Sequence, residues 1–228
     1  MKKLNVTVLL ALVLISCKKE AKEETQPETI VEETQTTETA IDYNGLGIDE
    51  TAIPKGLNVG DKAPELSFTT ASNTKVTLAS YYEKQPVVVI FYRGYWCPIC
   101  NKHLSEFAEK SKEIEAAGAK LIAISSESYE NSTKTIANNK IDFIVISDLD
   151  GSIMKAFDVK FEVTKEYQDM IQEKLNASIS ETNANKESVL PVPATFIIDK
   201  SGKIVYKQFD PNYKNRASIE DILAHLPK

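Results

Sequence analysis

The sequence predicts an α/β fold in which one central mixed sheet carries helices on both faces. Residues 87–92 form an apolar, β-branched run without polar alternation, which is typical of a strand buried on both sides. Strand-like and helix-like segments alternate after this run, an order that favours parallel pairing. Two further strand-like segments flank residues 200–203, whose composition indicates a hairpin and hence antiparallel strands.

Local signals justify the individual elements. Pro64 precedes a first short strand, and the apolar residues of 98–117 recur at helical spacing until Gly118 ends that helix. Ser218 and Asp221 resemble a capping box and predict the start of a last helix. The other predicted elements are strands at 75–78, 87–92, 121–125, 143–147, 195–199 and 204–209, helices at 129–138, 153–157 and 166–175, and a polar loop at 176–188.

The N-terminus carries the pattern of an export signal. Lys2 and Lys3 precede an apolar run at 4–15 that is too short to span a bilayer as a mature helix. The run ends in Leu-Ile-Ser-Cys, which resembles a bacterial lipobox and would make Cys17 the lipidated N-terminus of the mature chain. A plain signal peptide with a chance cysteine is the alternative. We therefore expect an exported protein, lipid-anchored to a bacterial membrane and facing the periplasm or the cell exterior.

The next segment, 18–55, is rich in Glu and Thr and has few large apolar residues, so it cannot bury enough surface to offset its ordering entropy. It predicts a solvated tether with a reach on the order of 30 Å, although a helix packed on the domain is the alternative. The folded domain is predicted at 56–228. A net charge of -6 gives no indication of a nucleic-acid surface.

The chemistry is expected at a cysteine pair. The chain has three cysteines, and assigning Cys17 to lipid leaves Cys97 and Cys100. A disulfide closing so short a loop stabilises the fold little, which favours a chemical role. Pro98 suits the first turn of a helix, so Cys97 stands near the N-cap, where unpaired N–H groups and the helix dipole favour a thiolate. Arg93, four residues earlier, is a candidate to stabilise that charge.

Other residues near the pair have more than one interpretation. Trp96 fits a wall of the site or the core equally well. His103, together with the two cysteines, would supply three metal ligands, but a fourth ligand at zinc spacing is missing, so we predict no metal and take His103 as a helix-surface residue. A strand, a CxxC pair and a helix in this order form the thioredoxin arrangement. In that fold Pro193 would lie in a cis-proline loop facing the cysteines, and Pro193 and Thr195 would contact substrate.

Four stretches resemble the alkyl hydroperoxide reductase and thiol-specific antioxidant superfamily, whose members have a thioredoxin fold. They are GLNVGDKAPELSF, VVVIFYRGYWCPICNKHL, LPVPATFIIDKSGKIVY and FDPNYKNRASIEDILAHL, and they occur in the family's order over about residues 56–226.

The resemblance leaves the register of the cysteines open. On a thioredoxin, Cys97 is the attacking thiol. On ordinary peroxiredoxins, the Pro-x-x-x-Thr-x-x-Cys pattern falls on residues 93–100, so that Arg93 replaces the proline, Cys97 replaces the threonine and Cys100 takes the peroxidatic position. A third register uses Cys97 and Pro98 as a peroxidatic Cys-Pro. The chain departs from the family because the threonine is missing in every register.

Three functions follow as hypotheses. The first is a peroxidase that reduces hydroperoxides and is itself reduced by a thioredoxin-like donor, without a cofactor. The second is a membrane-tethered thiol–disulfide oxidoreductase acting on disulfide substrates, and the third is a metal-binding module. From its place at the helix start, Cys97 is predicted to attack, with Cys100 resolving.

Overall fold

The computed structural model describes residues 41–69 and 75–228. The predicted signal peptide, Cys17 and the tether up to residue 40 lie outside these residues. Within the described ranges, no helix combines the length and apolar character needed to cross a membrane.

Strands and helices follow one another much as the sequence predicts. The strands are β1 (Ser67–Thr69), β2 (Lys75–Thr77), β3 (Val87–Phe91), β4 (Lys120–Ser125), β5 (Ile144–Ser147), β6 (Lys160–Glu162), β7 (Val189–Pro191), β8 (Ala194–Ile198) and β9 (Ile204–Phe209). The helices are α1 (Ala79–Tyr82), α2 (Pro98–Ala116), α3 (Tyr129–Asn139), α4 (Ser152–Ala156), α5 (Lys165–Leu175), α6 (Ile179–Thr182) and α7 (Ile219–His225), and a single 3-10 turn spans Asn44–Leu46.

The central sheet has five strands in the order β5-β4-β3-β8-β9. β3, β4 and β5 are parallel, whereas β8 pairs antiparallel with both β3 and β9. The mixed sheet and the α/β class predicted from the sequence are therefore confirmed. Strand β3 lies at the centre, and all five of its residues are buried.

Alternate residues of β3 face two different cores, because successive side chains of a strand point to opposite faces. Val88 and Ile90 belong to the core shared with α2, α5 and α7, which also contains both cysteines. Val87, Val89 and Phe91 belong to the opposite core, which includes side chains of α4. The sheet thus carries helices on both faces, and the cysteine pair lies on the α2 face.

Three elements depart from the prediction. β6 and β7 pair with each other as a separate two-stranded sheet that the sequence does not indicate. The predicted loop at 176–188 contains helix α6, because the Ser178 side chain accepts a hydrogen bond from the Glu181 N–H and caps it. These are short elements that tertiary contacts, rather than periodicity, define.

The predicted tether boundary is wrong for residues 41–55. Ile48 is 1% exposed and pairs with Val163 through an isolated β-bridge. The Thr164 N–H donates to the Gly47 carbonyl over 3.0 Å, and Gly47 lies against the ring of Tyr167. The apolar residues of 41–55 are scattered among polar ones without strand or helix periodicity, and they follow directly on the Glu- and Thr-rich segment. Composition alone therefore assigns these residues to the tether.

Candidate active site

The two cysteines lie at the start of α2 as predicted. Cys97 is the N-cap in an extended conformation, Pro98 follows it in the first turn, and the Cys97 Sγ accepts a hydrogen bond from the Cys100 N–H over 3.2 Å. One of the otherwise unpaired N–H groups of the helix is therefore directed at this sulfur. Both cysteines are free thiols and fully buried.

A tight loop connects β3 to the helix. Gly94 has φ of +155°, and a Cβ added there would lie 2.6 Å from the Trp96 Nε1, so the loop has no room for a side chain. The Cys97 N–H donates to the Gly94 carbonyl over 3.0 Å, and the Tyr95 N–H donates to the Glu127 carboxylate over 2.6 Å. These bonds fix the direction in which the chain enters the helix.

Arg93 lies against Cys97. Its Nη2 is 3.1 Å from the Cys97 Sγ, and its Nη1 donates to the Tyr167 hydroxyl over 2.6 Å. The guanidinium carbon is 3.7 Å from the centre of the Tyr213 ring and 5.2 Å from that of Trp96, within the range of cation–π contacts. Arg93 is 4% exposed, so its guanidinium is enclosed by these protein groups and has almost no contact with solvent.

Arg216 lies against Cys100. Its Nη2 is 3.5 Å from the Cys100 Sγ, and its Nε donates to the Tyr213 carbonyl over 2.6 Å. The residue is half-buried and belongs to the segment between β9 and α7. The sequence contains two arginines, and the fold places one beside each sulfur of the pair.

The pKa values of the two thiols shift in opposite directions. Burial alone would raise the pKa of Cys100, but the hydrogen bond with Cys97 and the positive charges of Arg216 and Arg93 outweigh it, so that this pKa is well below its ordinary value. The pKa of Cys97 is raised by its burial and by the neighbouring Cys100, which together exceed the effect of Arg93. The pair therefore favours one thiolate and one thiol over two thiols or two thiolates.

His103 corrects the prediction of a helix-surface residue. It is 6% exposed, and its Nε2 lies 3.0 Å from the Ala217 carbonyl. Because a carbonyl only accepts, the Nε2 must carry the hydrogen and donate it. Residue 103 follows Cys100 by three positions and so shares its face of α2, which explains the burial. His225 is exposed, as predicted.

A buried carboxylate lies behind the loop. Glu127 is 0% exposed and, besides the Tyr95 N–H, accepts from the Thr135 hydroxyl over 2.9 Å. Burial raises its pKa, although the hydrogen bonds from Tyr95 and Thr135 oppose the rise. Glu127 holds the active-site loop to the end of β4, a role that sequence reasoning did not identify.

The residues predicted to contact substrate are Trp96, Pro193 and Thr195. Trp96 is 7% exposed and packs in the α2-side core. It also lies beside Arg93, so it forms a wall of the site as well. Thr195 pairs with Ile90 in the sheet and therefore faces the α2 side, the face that also holds the cysteines. The cis-proline prediction for Pro193 is wrong, because no peptide bond of the described residues is cis. The Val192 N–H donates to the Val159 carbonyl over 2.7 Å, and the bond before Pro193 has the trans form that most X–Pro bonds of folded proteins adopt.

Sequence reasoning missed three further groups of the site: Tyr167, Tyr213 and Arg216. Tyr167 and Tyr213 belong to segments far from the cysteines along the chain, and tyrosines are common enough to carry no signal. Arg216 did carry a signal in the sequence, because arginine is rare in this lysine-rich chain. A second arginine in such a chain is a candidate partner for the same site as the first.

Comparison with known proteins identifies the family. The family model described as AhpC/TSA matches residues 59–207, which is well over half of the chain. The chain belongs to the AhpC/TSA family. The match includes Arg93, both cysteines of the pair and Thr195, but it ends before Tyr213 and Arg216.

Relatives of this AhpC/TSA protein are peroxiredoxins by name. Peroxiredoxin Bcp of Bacillus subtilis is 25% identical over 149 residues, which cover 65% of this chain and 83% of Bcp. Chloroplastic peroxiredoxin Q of Oryza sativa subsp. japonica is 25% identical over 155 residues, covering 67% of this chain and 60% of the relative.

Solved structures agree on the fold. Peroxidoxin BcpB from Mycobacterium tuberculosis superimposes with a TM-score of 0.57 at 20% identity, covering 74% of this chain and 96% of BcpB. A mutant of PrxQ from Xylella fastidiosa gives the same TM-score at 21% identity, covering 75% of this chain and 95% of PrxQ. The thioredoxin-like fold predicted from the sequence is confirmed.

Proposed function

We propose that the protein is a thiol peroxidase that reduces hydroperoxides through Cys97 and Cys100. The observation that carries the proposal is the pair of buried thiols at a helix start with one guanidinium beside each sulfur. A thiolate is the nucleophile that breaks an O–O bond, and a guanidinium stabilises both this thiolate and the charge on the departing oxygen. Membership of the AhpC/TSA family and similarity to peroxiredoxins support the same chemistry.

Cys100 is the attacking residue in this proposal. The hydrogen bond with Cys97 and the charges of Arg216 and Arg93 lower its pKa, so it is the favoured thiolate of the pair. It also occupies the peroxidatic position in the gapless register of the peroxiredoxin pattern. Cys97 is then the resolving thiol. This assignment reverses the expectation drawn from the helix start alone, in which Cys97 attacks.

The cycle needs an external reductant. Attack by Cys100 gives a sulfenic acid, and condensation with Cys97 gives a disulfide and water. A dithiol donor of the thioredoxin type would return the disulfide to two thiols by exchange. The relatives' names support a peroxidase, and the donor is inferred from the CxxC chemistry.

A second function has its own support. The Cys97 Sγ accepts from both the Cys100 N–H and Arg93, an arrangement that would stabilise a Cys97 thiolate. A thiol–disulfide oxidoreductase would use this sulfur to attack a client disulfide, with Cys100 releasing the mixed disulfide.

Single-cysteine variants separate the two functions. The reduced protein is mixed with hydrogen peroxide in a stopped-flow instrument, and thiol loss and intact mass are followed. We expect Cys97→Ser to react as fast as the wild type but to stop at a sulfenic acid, and Cys100→Ser to lose the fast reaction.

The reverse pattern would assign the attack to Cys97. Oxidation of the wild type no faster than that of a free thiol would reject the peroxidase, and reduction of insulin disulfides well above background would then support the oxidoreductase.

We also infer that the protein acts outside the cytoplasm on a lipid anchor. The support is the lipobox-like sequence that ends in Cys17. A tether between this residue and the domain would let the peroxidase work near the membrane that holds it.

A further inference from the structure

We propose that the two arginines divide the two steps of the reaction: Arg216 activates Cys100 for attack, and Arg93 prepares Cys97 for resolution. The inference rests on the proposed function and adds a catalytic role for Arg216, a residue beyond the part of the chain that the family model matches.

Arg93 is hydrogen-bonded to one sulfur of the pair, although its charge also reaches Cys100. Its two terminal nitrogens are engaged by the Cys97 Sγ and the Tyr167 hydroxyl, and the Tyr213 ring covers the face of the guanidinium. With 4% exposure it has little freedom to follow a reacting oxygen. Its charge nevertheless stays close to Cys97 throughout, which lowers the cost of forming a thiolate on a buried sulfur whose pKa is otherwise raised.

Arg216 is placed differently. It is half-buried, so of the two guanidiniums it has the greater access to solvent and to an incoming hydroperoxide. Its Nη2 lies 3.5 Å from the Cys100 Sγ. Its Nε is held by the Tyr213 carbonyl, and the neighbouring Ala217 carbonyl is held by His103. The first bond orients the Arg216 side chain within its own segment, and the second ties that segment to α2.

Segment 210–217, which carries Arg216, is also braced internally. The Asn215 side chain donates to the Asp210 carboxylate over 2.6 Å, and the Gln208 side chain donates to the Asn215 carbonyl over 3.1 Å. Arg216 is thus presented to Cys100 by a structured segment rather than by a free loop end. Tyr213 of the same segment covers Arg93, so one segment contributes to both halves of the site.

The first step uses Arg216. The Cys100 thiolate attacks one peroxide oxygen, an S–O bond forms and the O–O bond breaks. The other oxygen leaves with the electron pair as an alkoxide or hydroxide and takes a proton from water. Arg216 stabilises the thiolate before attack and the negative oxygen during departure.

The second step uses Arg93. The Cys97 sulfur gives up its proton to water and attacks the sulfenic sulfur of Cys100, an S–S bond forms and the S–O bond breaks. Hydroxide leaves and is protonated to water. Two electrons have then passed from the two thiols to the hydroperoxide, and Arg93 has stabilised the Cys97 thiolate that the step requires.

The test follows both steps in the full chain by fluorescence of Trp96, the one tryptophan in the sequence, which precedes Cys97 directly and whose ring centre lies 5.2 Å from the Arg93 guanidinium carbon. Reduced protein is mixed with hydrogen peroxide. Sulfenic acid formation should give a phase whose rate rises with peroxide concentration, and disulfide formation should give a phase independent of it.

We expect Arg216→Gln to slow the peroxide-dependent phase about 100-fold while leaving the second phase within a few-fold of the wild type. Arg93→Gln should slow the second phase by a similar factor and the first far less. Lys214→Gln removes a charge from the exposed part of the same segment and should alter neither phase, and Arg216→Lys should recover part of the first.

A second measurement tests the role of Arg216 without using Arg93→Gln, so it stands even where that variant does not fold. In a Cys97→Ser background, ultraviolet absorbance of the thiolate gives the pKa of Cys100, which Arg216→Gln should raise and Lys214→Gln should not. The inference is overturned if both arginine variants slow the same phase, or if Arg216→Gln changes neither the first phase nor this pKa. A wild type without a fast peroxide-dependent phase rejects the proposed function itself.

Discussion

At the scale of single residues, His103 shows how a side chain outside the cysteine motif supports it. Its Nε2–H bond to the Ala217 carbonyl ties α2 to the segment that carries Arg216, and its ring packs edge-on against Phe107 at 4.8 Å between centres. The Nδ1 is buried without a hydrogen-bond partner among the described residues. A charged imidazolium is therefore unfavourable here, and burial lowers the pKa of His103 to about 4.

This pKa predicts a pH dependence of stability. In the unfolded chain a histidine titrates near 6.5, so as the pH falls the unfolded state binds the proton first. His103 should therefore cost stability between about pH 6.5 and 4, by about 3 kcal/mol in total, and no more below that range. His103→Gln keeps an N–H donor for the Ala217 carbonyl but does not titrate.

Urea unfolding of both proteins at a series of pH values checks this. The wild type should lose more free energy of unfolding than His103→Gln over that range, whereas His225→Gln, at an exposed position, should follow the wild type. Parallel curves for the wild type and His103→Gln would show that the histidine does not titrate as described.

The sequence predicted residues of the site when they lay on the same local motif. Cys97, Cys100 and Arg93 occupy one strand–loop–helix unit, where spacing determines proximity. Arg216 and Tyr167 reach the same place only through the packing of α5 and of segment 210–217 on the sheet. No periodicity or spacing encodes such contacts, so the sequence could not indicate them.

At the scale of elements, residues 41–55 are the part of the domain whose role changed most. Ile48 is buried beside Val163, and Gly47 packs on the ring of Tyr167, the residue whose hydroxyl holds Arg93. The segment thus closes the α2-side core and supports the active site through α5.

We predict that Ile48→Ala lowers the free energy of unfolding by about 2–5 kcal/mol, the usual cost of truncating a buried isoleucine. Ile41→Ala is the matched control, because Ile41 is 43% exposed and begins the same segment; it should change stability by less than about 0.5 kcal/mol. Urea denaturation measures both, and equal effects of the two substitutions would mean that the segment is not part of the cooperative unit.

Elements with strong local signals were predicted almost to their ends. α2 runs from Pro98 to Ala116 and α7 has the Ser218–Asp221 capping box in full, because a proline, a cap or a terminal glycine marks each boundary. β6 and β7 escaped prediction because three-residue strands are too short to show alternation. They exist because each satisfies the other's backbone groups.

At the scale of the whole molecule, the folded domain determines the chemistry and the N-terminal region bears on the location of the protein. The domain contains the cysteine pair, and the lipobox-like sequence indicates a membrane as the place where the pair would act. The match to the AhpC/TSA family lies within the domain, since it begins at residue 59.

The location has its own test. Cys17→Ala, expressed in a bacterial host, should lack the mass of a lipid and move from the membrane fraction to the soluble fraction, because no acyl chain remains to hold it. Ser16→Ala keeps a small residue before the cysteine and should stay with the membrane. A wild-type protein that is soluble and free of lipid would contradict the anchor, while leaving the peroxidase proposal untouched.

The closeness of the two thiols at one helix turn has a consequence for survival under oxidative stress. A sulfenic acid is lost irreversibly when a second peroxide oxidises it to the sulfinic acid, and that reaction competes with disulfide formation. Here the resolving sulfur is the N-cap of the helix that carries the attacking one, and it already accepts the N–H of that same residue. In the proposed cycle resolution requires no remote segment to arrive, so we expect the sulfenic acid to be short-lived and the enzyme to resist inactivation by its own substrate.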